Sequence, residues 1–116
     1  MLAGAVGMMA QTTEAVTPEA QARELTRQIV AKQYAEVEKS FDKAMLAALP
    51  TDKLQQTWEG LLEQVGAEQE VESANTAQQD GYRVVQVTVK FEKTTLNLKW
   101  VFDGKGLVAG FFIKPL

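Results

Sequence analysis

Two carboxylates, Asp42 and Glu59, stand nearest the apolar stripes of this chain, beside Phe41 and Trp58. A carboxylate withdrawn from water has its pKa raised and can then serve as a general base. Other chemistry is scarce. The sequence holds no histidine and no cysteine, which excludes imidazole proton transfer, thiolate nucleophiles, disulfides and zinc–sulfur centres. No loop has the spacing of a calcium site, so neither a metal nor a cofactor is expected. A local role competes for both carboxylates. Asp42 can cap or ion-pair within its own helix, and Glu59, between Trp58 and Gly60, can face water. With no evident oxyanion partner, no residue is assigned as catalytic.

Binding chemistry has more to work with. Phe41, Met45, Trp58, Trp100, Phe102 and Phe111 could line an apolar pocket, with Tyr34 or Tyr82 at its mouth. The same spacing suits an ordinary packed core. A second set, Tyr82, Gln86, Thr88 and Lys90, alternates with Val85 and Val87 and so shares one sheet face. Joined by Asn97, Lys99 and Val101, it makes a polar face with some apolar residues that could pair with a second copy in a homodimer. The competing reading is a solvated face whose lysines pair across strands with Glu68, Glu70 and Glu72, each pair worth at most about 1 kcal/mol. Lys90, Lys99 and Lys114 make a basic stripe without an aromatic stacking platform, and the net charge is −3, so no nucleic-acid partner is expected.

These residues need elements to hold them. From Val85 onward the apolar residues recur with period two, through Phe91, Leu96–Phe102 and, after Asp103-Gly104-Lys105-Gly106, Leu107–Ile113. That pattern is an antiparallel sheet covered on one face. Residues 67–78 predict a solvated edge strand with Glu68, Glu70 and Glu72 on one side, and Gln79-Asp80-Gly81 a turn. The first half supplies the cover. Thr17-Pro18-Glu19 opens a helix with the stripe Ala22, Leu25, Ile29. A second stripe runs from Tyr34 through Val37, Phe41 and Met45 to Leu49, and Pro50 ends it. Thr51 caps a third helix, with Leu54, Trp58, Leu61, Leu62 and Val65 buried and Gly66 closing it. Gly60 lies inside that helix, at a cost of about 1 kcal/mol against alanine, for which close packing is the expected compensation.

At 116 residues with 46% hydrophobic and 23% charged residues, one domain is expected over 17–116. Charge is uneven. Residues 1–82 carry six Lys/Arg against thirteen Asp/Glu, and 83–116 carry six against two. Residues 1–16 read as a disordered leader or the remnant of a signal peptide, because apolar Leu2–Ala10 turns polar at Gln11. That reading places the protein in the periplasm or outside the cell; without export it is cytoplasmic. The apolar run is too short to span a bilayer, so no membrane span is expected.

Specific residues then carry a resemblance. Phe41-Asp42, Leu49-Pro50, Trp58-Glu59 with Leu61-Leu62, and Gly66 form its first half. Gly81-Tyr82, Val84-Val85, Phe91-Glu92, Val101-Phe102-Asp103, Gly106 and Gly110-Phe111-Phe112 form its second. Together they resemble the domain of unknown function 3887 family, within the nuclear-transport-factor-2-like (cystatin-like) superfamily. The resemblance implies a cone-shaped α+β domain, three N-terminal helices on a curved four-stranded antiparallel sheet, and an exported or cell-envelope setting. Longer relatives often carry an α/β-hydrolase after this domain, but no Gly-x-Ser-x-Gly motif occurs here, so that activity does not transfer. The expectation is a non-enzymatic module that holds a small apolar ligand in the cone or self-associates through the sheet face. The alternative is an enzyme of isomerase or dehydratase type using a buried carboxylate.

Overall fold

Thr17 accepts a hydrogen bond from the Ala20 N–H at 3.0 Å, Pro18 takes the first helical position, and Glu19 lies in the first turn of α1 (Pro18–Val30). A computed structural model describes residues 17–116; the leader expected over 1–16 lies outside them. Helix α1 buries Ala22, Leu25, Thr26 and Ile29, a stripe at helical spacing that lies across the sheet.

The long second helix expected over Tyr34–Leu49 is two short ones, α2 (Tyr34–Glu38) and α3 (Lys43–Ala48). Among the described residues four helices therefore precede the sheet, not three. The break has a backbone cause. Phe41 pairs in parallel with Val108: the Val108 N–H donates to Ser40 O at 2.6 Å and the Asp42 N–H donates to Val108 O at 2.9 Å. Those groups cannot also serve a helical ladder. The apolar spacing survives the break, because Val37, Phe41 and Met45 all reach the core.

Helix α4 (Thr51–Val65) follows Pro50 and buries Leu54 and Trp58. Thr51 does not cap it. Pro50 is the capping residue, without a side-chain bond, and the Thr51 hydroxyl donates to Glu38 Oε1 at 2.9 Å. Gly66 closes the helix with φ 85°, a conformation that favours glycine. A Cβ there would collide with the Glu92 side chain, which returns to accept from the Ala67 N–H at 3.0 Å. Gly60 differs from expectation, since a Cβ there would meet nothing within 4 Å.

Strands β1 (Glu68–Gln79), β2 (Tyr82–Phe91), β3 (Thr95–Phe102) and β4 (Val108–Pro115) form an open antiparallel sheet in that order. The protein is thus α+β with a four-stranded antiparallel sheet. Val85, Val87, Val89 and Phe91 of β2 and Leu96, Leu98, Trp100 and Phe102 of β3 are buried under the helices. Strand β1 is an exposed edge, as its composition requires. Its three glutamates do not share a face, because irregularities between Glu68 and Glu70 and between Val71 and Ser73 interrupt the alternation. Among the described residues no helix is long and apolar enough to cross a membrane.

Candidate functional site

The two candidate carboxylates are held apart, each by its own partner. Asp42 Oδ1 accepts from the Met45 N–H at 2.8 Å, capping α3 just after the Phe41–Val108 bridge. Glu59 Oε2 accepts from the Tyr34 hydroxyl at 3.0 Å, tying α4 to the start of α2. Burial first, and then the bond to Glu59, pushes the Tyr34 hydroxyl up to about 12, so the phenol stays protonated and donates. Neither carboxylate meets a second donor among the described side chains. Tyr34 borders a polar groove of about 600 Å³ along Arg27, Gln28 and Lys32.

The six aromatic and methionine positions gather into one core cluster, not around an open space. Phe41, Met45, Trp58, Trp100 and Phe102 are buried in it, and half-buried Phe111 packs against it. Trp100 stacks on Phe111 with ring centroids 4.0 Å apart, and Trp58 tilts against Phe91 at 5.9 Å. Space opens at the rim of this set. Trp58 borders a pocket of about 260 Å³ with Val30, Lys32 and Leu62. Phe111 borders one of about 430 Å³ with Leu49, Thr57 and Ile113.

The strand register brings Tyr82, Gln86, Thr88, Lys90 and Lys99 onto the outer face, opposite the buried valines. Tyr82 sits at its end, 44% exposed, away from the core. The Asn97 side-chain amide donates to Gln86 Oε1. An apolar row, Ala77, Val84, Val101 and Gly110, crosses all four strands. Beside it Phe112 is 51% exposed. Its ring leans over Gly110, close enough that a Cβ there would meet it at 3.0 Å, and the Lys99 ammonium lies 5.7 Å from the ring centroid. The cross-strand ion pairs considered for these lysines do not form. The three ion pairs among the described residues, Arg23–Glu19, Arg27–Glu24 and Lys39–Glu36, all lie within helical segments.

Three residues matter here that pattern reading passed over. Thr26 is fully buried; its hydroxyl donates to Ala22 O at 2.8 Å and accepts from Trp100 Nε1 at 3.0 Å. Its place four residues after Ala22 and beside Leu25 and Ile29 was the available signal. Glu38 is buried, with Oε1 bonded to Thr51 and Oε2 without a partner; its neighbour Val37 on the stripe gave no sign of that. Phe112 follows the inward Phe111 and is turned outward by strand alternation alone.

No curated protein and no solved structure matches this chain. One family profile does, over residues 22–111 of the 116, a span that runs from the buried face of α1 to the stacked Phe111. The chain belongs to the family described as Protein of unknown function (DUF3887).

Proposed function

We propose that this protein is a non-enzymatic interaction module that pairs with a second copy of itself through the outer face of its sheet. The observation that carries the proposal is Phe112, an aromatic ring 51% exposed yet laid against Gly110 and Lys99, next to the apolar row of Val84 and Val101. Preorganised exposed aromatics beside a small apolar strip are what interface anchors look like. A two-fold axis parallel to the strands sets β1 of one copy over β4 of the other. In that arrangement Phe112 faces Asn75 of the second copy, Lys99 faces its Gln86, and Lys114 its Ser73, so no lysine meets a lysine, while Val84, already 5% exposed within one copy, adds little to the contact. Asp42 spends its carboxylate on a helix cap and Glu59 holds Tyr34, which supports a non-enzymatic reading. The wider assignment to the nuclear-transport-factor-2-like superfamily belongs to the same proposal; sheet-face pairing is frequent there.

Sedimentation equilibrium tests it. A monomer–dimer equilibrium is expected. Phe112→Asp should weaken it by at least about tenfold, the loss of one interface anchor, and Lys99→Glu should weaken it through the lost contact to Phe112 while the monomer stays folded. A protein that is monomeric throughout, or a Phe112→Asp variant that associates as well as the parent, refutes the pairing. A small ligand is the second occupant such a module could take, and the space beside Trp58 is the observation that favours it.

A further inference from the structure

The two edges of the sheet differ, and β4 is the one left open. The Phe91 N–H donates to Thr94 O at 2.8 Å. Counted from that pair, Val89–Leu96, Val87–Leu98 and Val85–Trp100 are the hydrogen-bonded pairs of β2 and β3. Leu96, Leu98 and Trp100 thus spend their main chain on β2, while Asn97 and Lys99 turn theirs to β4, where they meet Lys114 and Phe112. The main-chain N–H and C=O of Phe111 and Ile113 therefore point away from the sheet. Among the described residues no main-chain group bonds them. Val108 points the same way, but its groups are taken by Ser40 and Asp42, and the cover ends where α3 begins. Native edges are blunted by charge, proline or bulges. Strand β1 carries three glutamates and two irregularities, whereas Phe111-Phe112-Ile113 has none of these.

The space of about 430 Å³ beside Phe111 follows that edge, lined by Leu49, Thr57, Phe111, Phe112, Ile113 and Lys114. Consecutive strand residues point to opposite faces, so a groove that touches four in a row lies along the main chain they share. Its one charged lining residue is Lys114. Neither Lys114 nor Lys99, on the same outer face, takes part in an ion pair among the described residues. A second copy offering its own β4 brings another lysine and no carboxylate. We propose that β4 takes up, as a fifth and antiparallel strand, an extended segment of a partner protein in which aliphatic residues alternate with polar ones that include an acid. Its residues opposite Phe111 and Ile113 exchange main-chain hydrogen bonds with them and turn aliphatic side chains inward beside Leu49 and Thr57. A carboxylate opposite Lys114 turns outward to meet the ammonium. This goes beyond the pairing of sheet faces and does not depend on it, because it uses the edge.

The test is titration of the ¹⁵N-labelled full chain with the peptide acetyl-Thr-Glu-Val-Thr-Val-Thr-amide, which sets its Glu opposite Lys114 and its two Val opposite Ile113 and Phe111. The Phe111 and Ile113 amides should shift saturably and exchange with solvent more slowly. Those of Phe112 and Lys114, already bonded to β3, are the internal reference. The same peptide N-methylated at both Val loses its two donors and should bind at least about tenfold more weakly. Replacing its Glu by Lys should weaken binding about two- to fivefold, and Lys114→Glu in the protein should restore the Lys peptide. Ile113→Pro removes an outward N–H without touching the ladder to β3 and should weaken binding like the N-methyl groups; the methylated peptide keeps the test independent of how that variant folds. Phe111 and Ile113 amides unmoved by the peptide, or equal binding of the N-methylated one, overturn strand addition. A Lys peptide that binds as well as the Glu peptide overturns the acidic partner. Protection of the two amides that rises with protein concentration alone, without peptide, assigns the edge to a second copy and overturns the proposal.

Discussion

Replacing Thr26 by valine removes one hydroxyl from the centre of the protein and leaves its shape. That hydroxyl does two things: it donates to Ala22 O at 2.8 Å and accepts from Trp100 Nε1 at 3.0 Å. The two losses are unequal. Ala22 O keeps its place in the helical ladder of α1 and stays satisfied. The Trp100 indole, fully buried, has no other acceptor and no water to turn to, at a cost of about 1–3 kcal/mol. The added methyl returns up to about 0.8 kcal/mol through apolar burial. Thr26→Val should therefore lower stability by about 1–2 kcal/mol, a shift in the urea midpoint at unchanged slope. A double-mutant cycle isolates the bond. Trp100→Phe alone costs volume, but with no indole present Thr26→Val should cost little, giving a coupling of about 1–2 kcal/mol. A Thr26→Val variant within about 0.3 kcal/mol of the parent, or additive single variants, would show that the pair contributes nothing net.

Two glycines of the α4 region should respond to alanine in opposite directions when their unfolding midpoints are compared. Gly60→Ala should stabilise by about 1 kcal/mol, since a Cβ there meets nothing within 4 Å and the helix loses a flexible residue. Gly66→Ala should destabilise by about 2–3 kcal/mol, because φ 85° strains any L side chain and the Cβ displaces Glu92 from the Ala67 N–H. Tyr34 should make stability fall at high pH. Burial and the Glu59 bond raise the hydroxyl to about 12 in the folded protein, while the unfolded chain releases that proton from about 10. Between those values the unfolded state binds fewer protons, so stability drops by up to about 1.4 kcal/mol per pH unit. Tyr34→Phe should lack this part of the fall between pH 10 and 12, read from urea midpoints; parallel slopes in both proteins would contradict it.

The sheet was legible because its signal is local. Period two over Val85–Phe91 and Leu96–Phe102 fixes which side is buried, and Asp80-Gly81 places the turn. The Thr17-Pro18-Glu19 start of α1 was legible for the same reason. The break in the second helix was not, since its cause is a parallel bridge from Phe41 to Val108. Val37, Phe41 and Met45 keep helical spacing across that break, so a pattern of apolar residues records which side chains are buried and not whether the backbone between them is continuous. Bulges hid the facing of Glu68 and Glu70 in the same way, by shifting alternation without changing composition.

Sites are harder to read than folds because a polar group's role is set by what meets it. Asp42 beside Phe41 suits either a general base or a local cap in the sequence, and the α3 N-terminus makes it the cap. Glu59 looks solvated beside Gly60 until the Tyr34 hydroxyl reaches it across 25 residues of sequence. The tryptophans make the point most sharply. Trp58 and Trp100 are equally buried and read alike in the sequence, yet Trp100 finds Thr26 on α1 and Trp58 finds no acceptor. One indole is thereby part of the core's internal bonding and the other holds a buried, unspent donor. Burial separates core from surface, but only the count of satisfied partners separates a finished core position from one with a bond still to make.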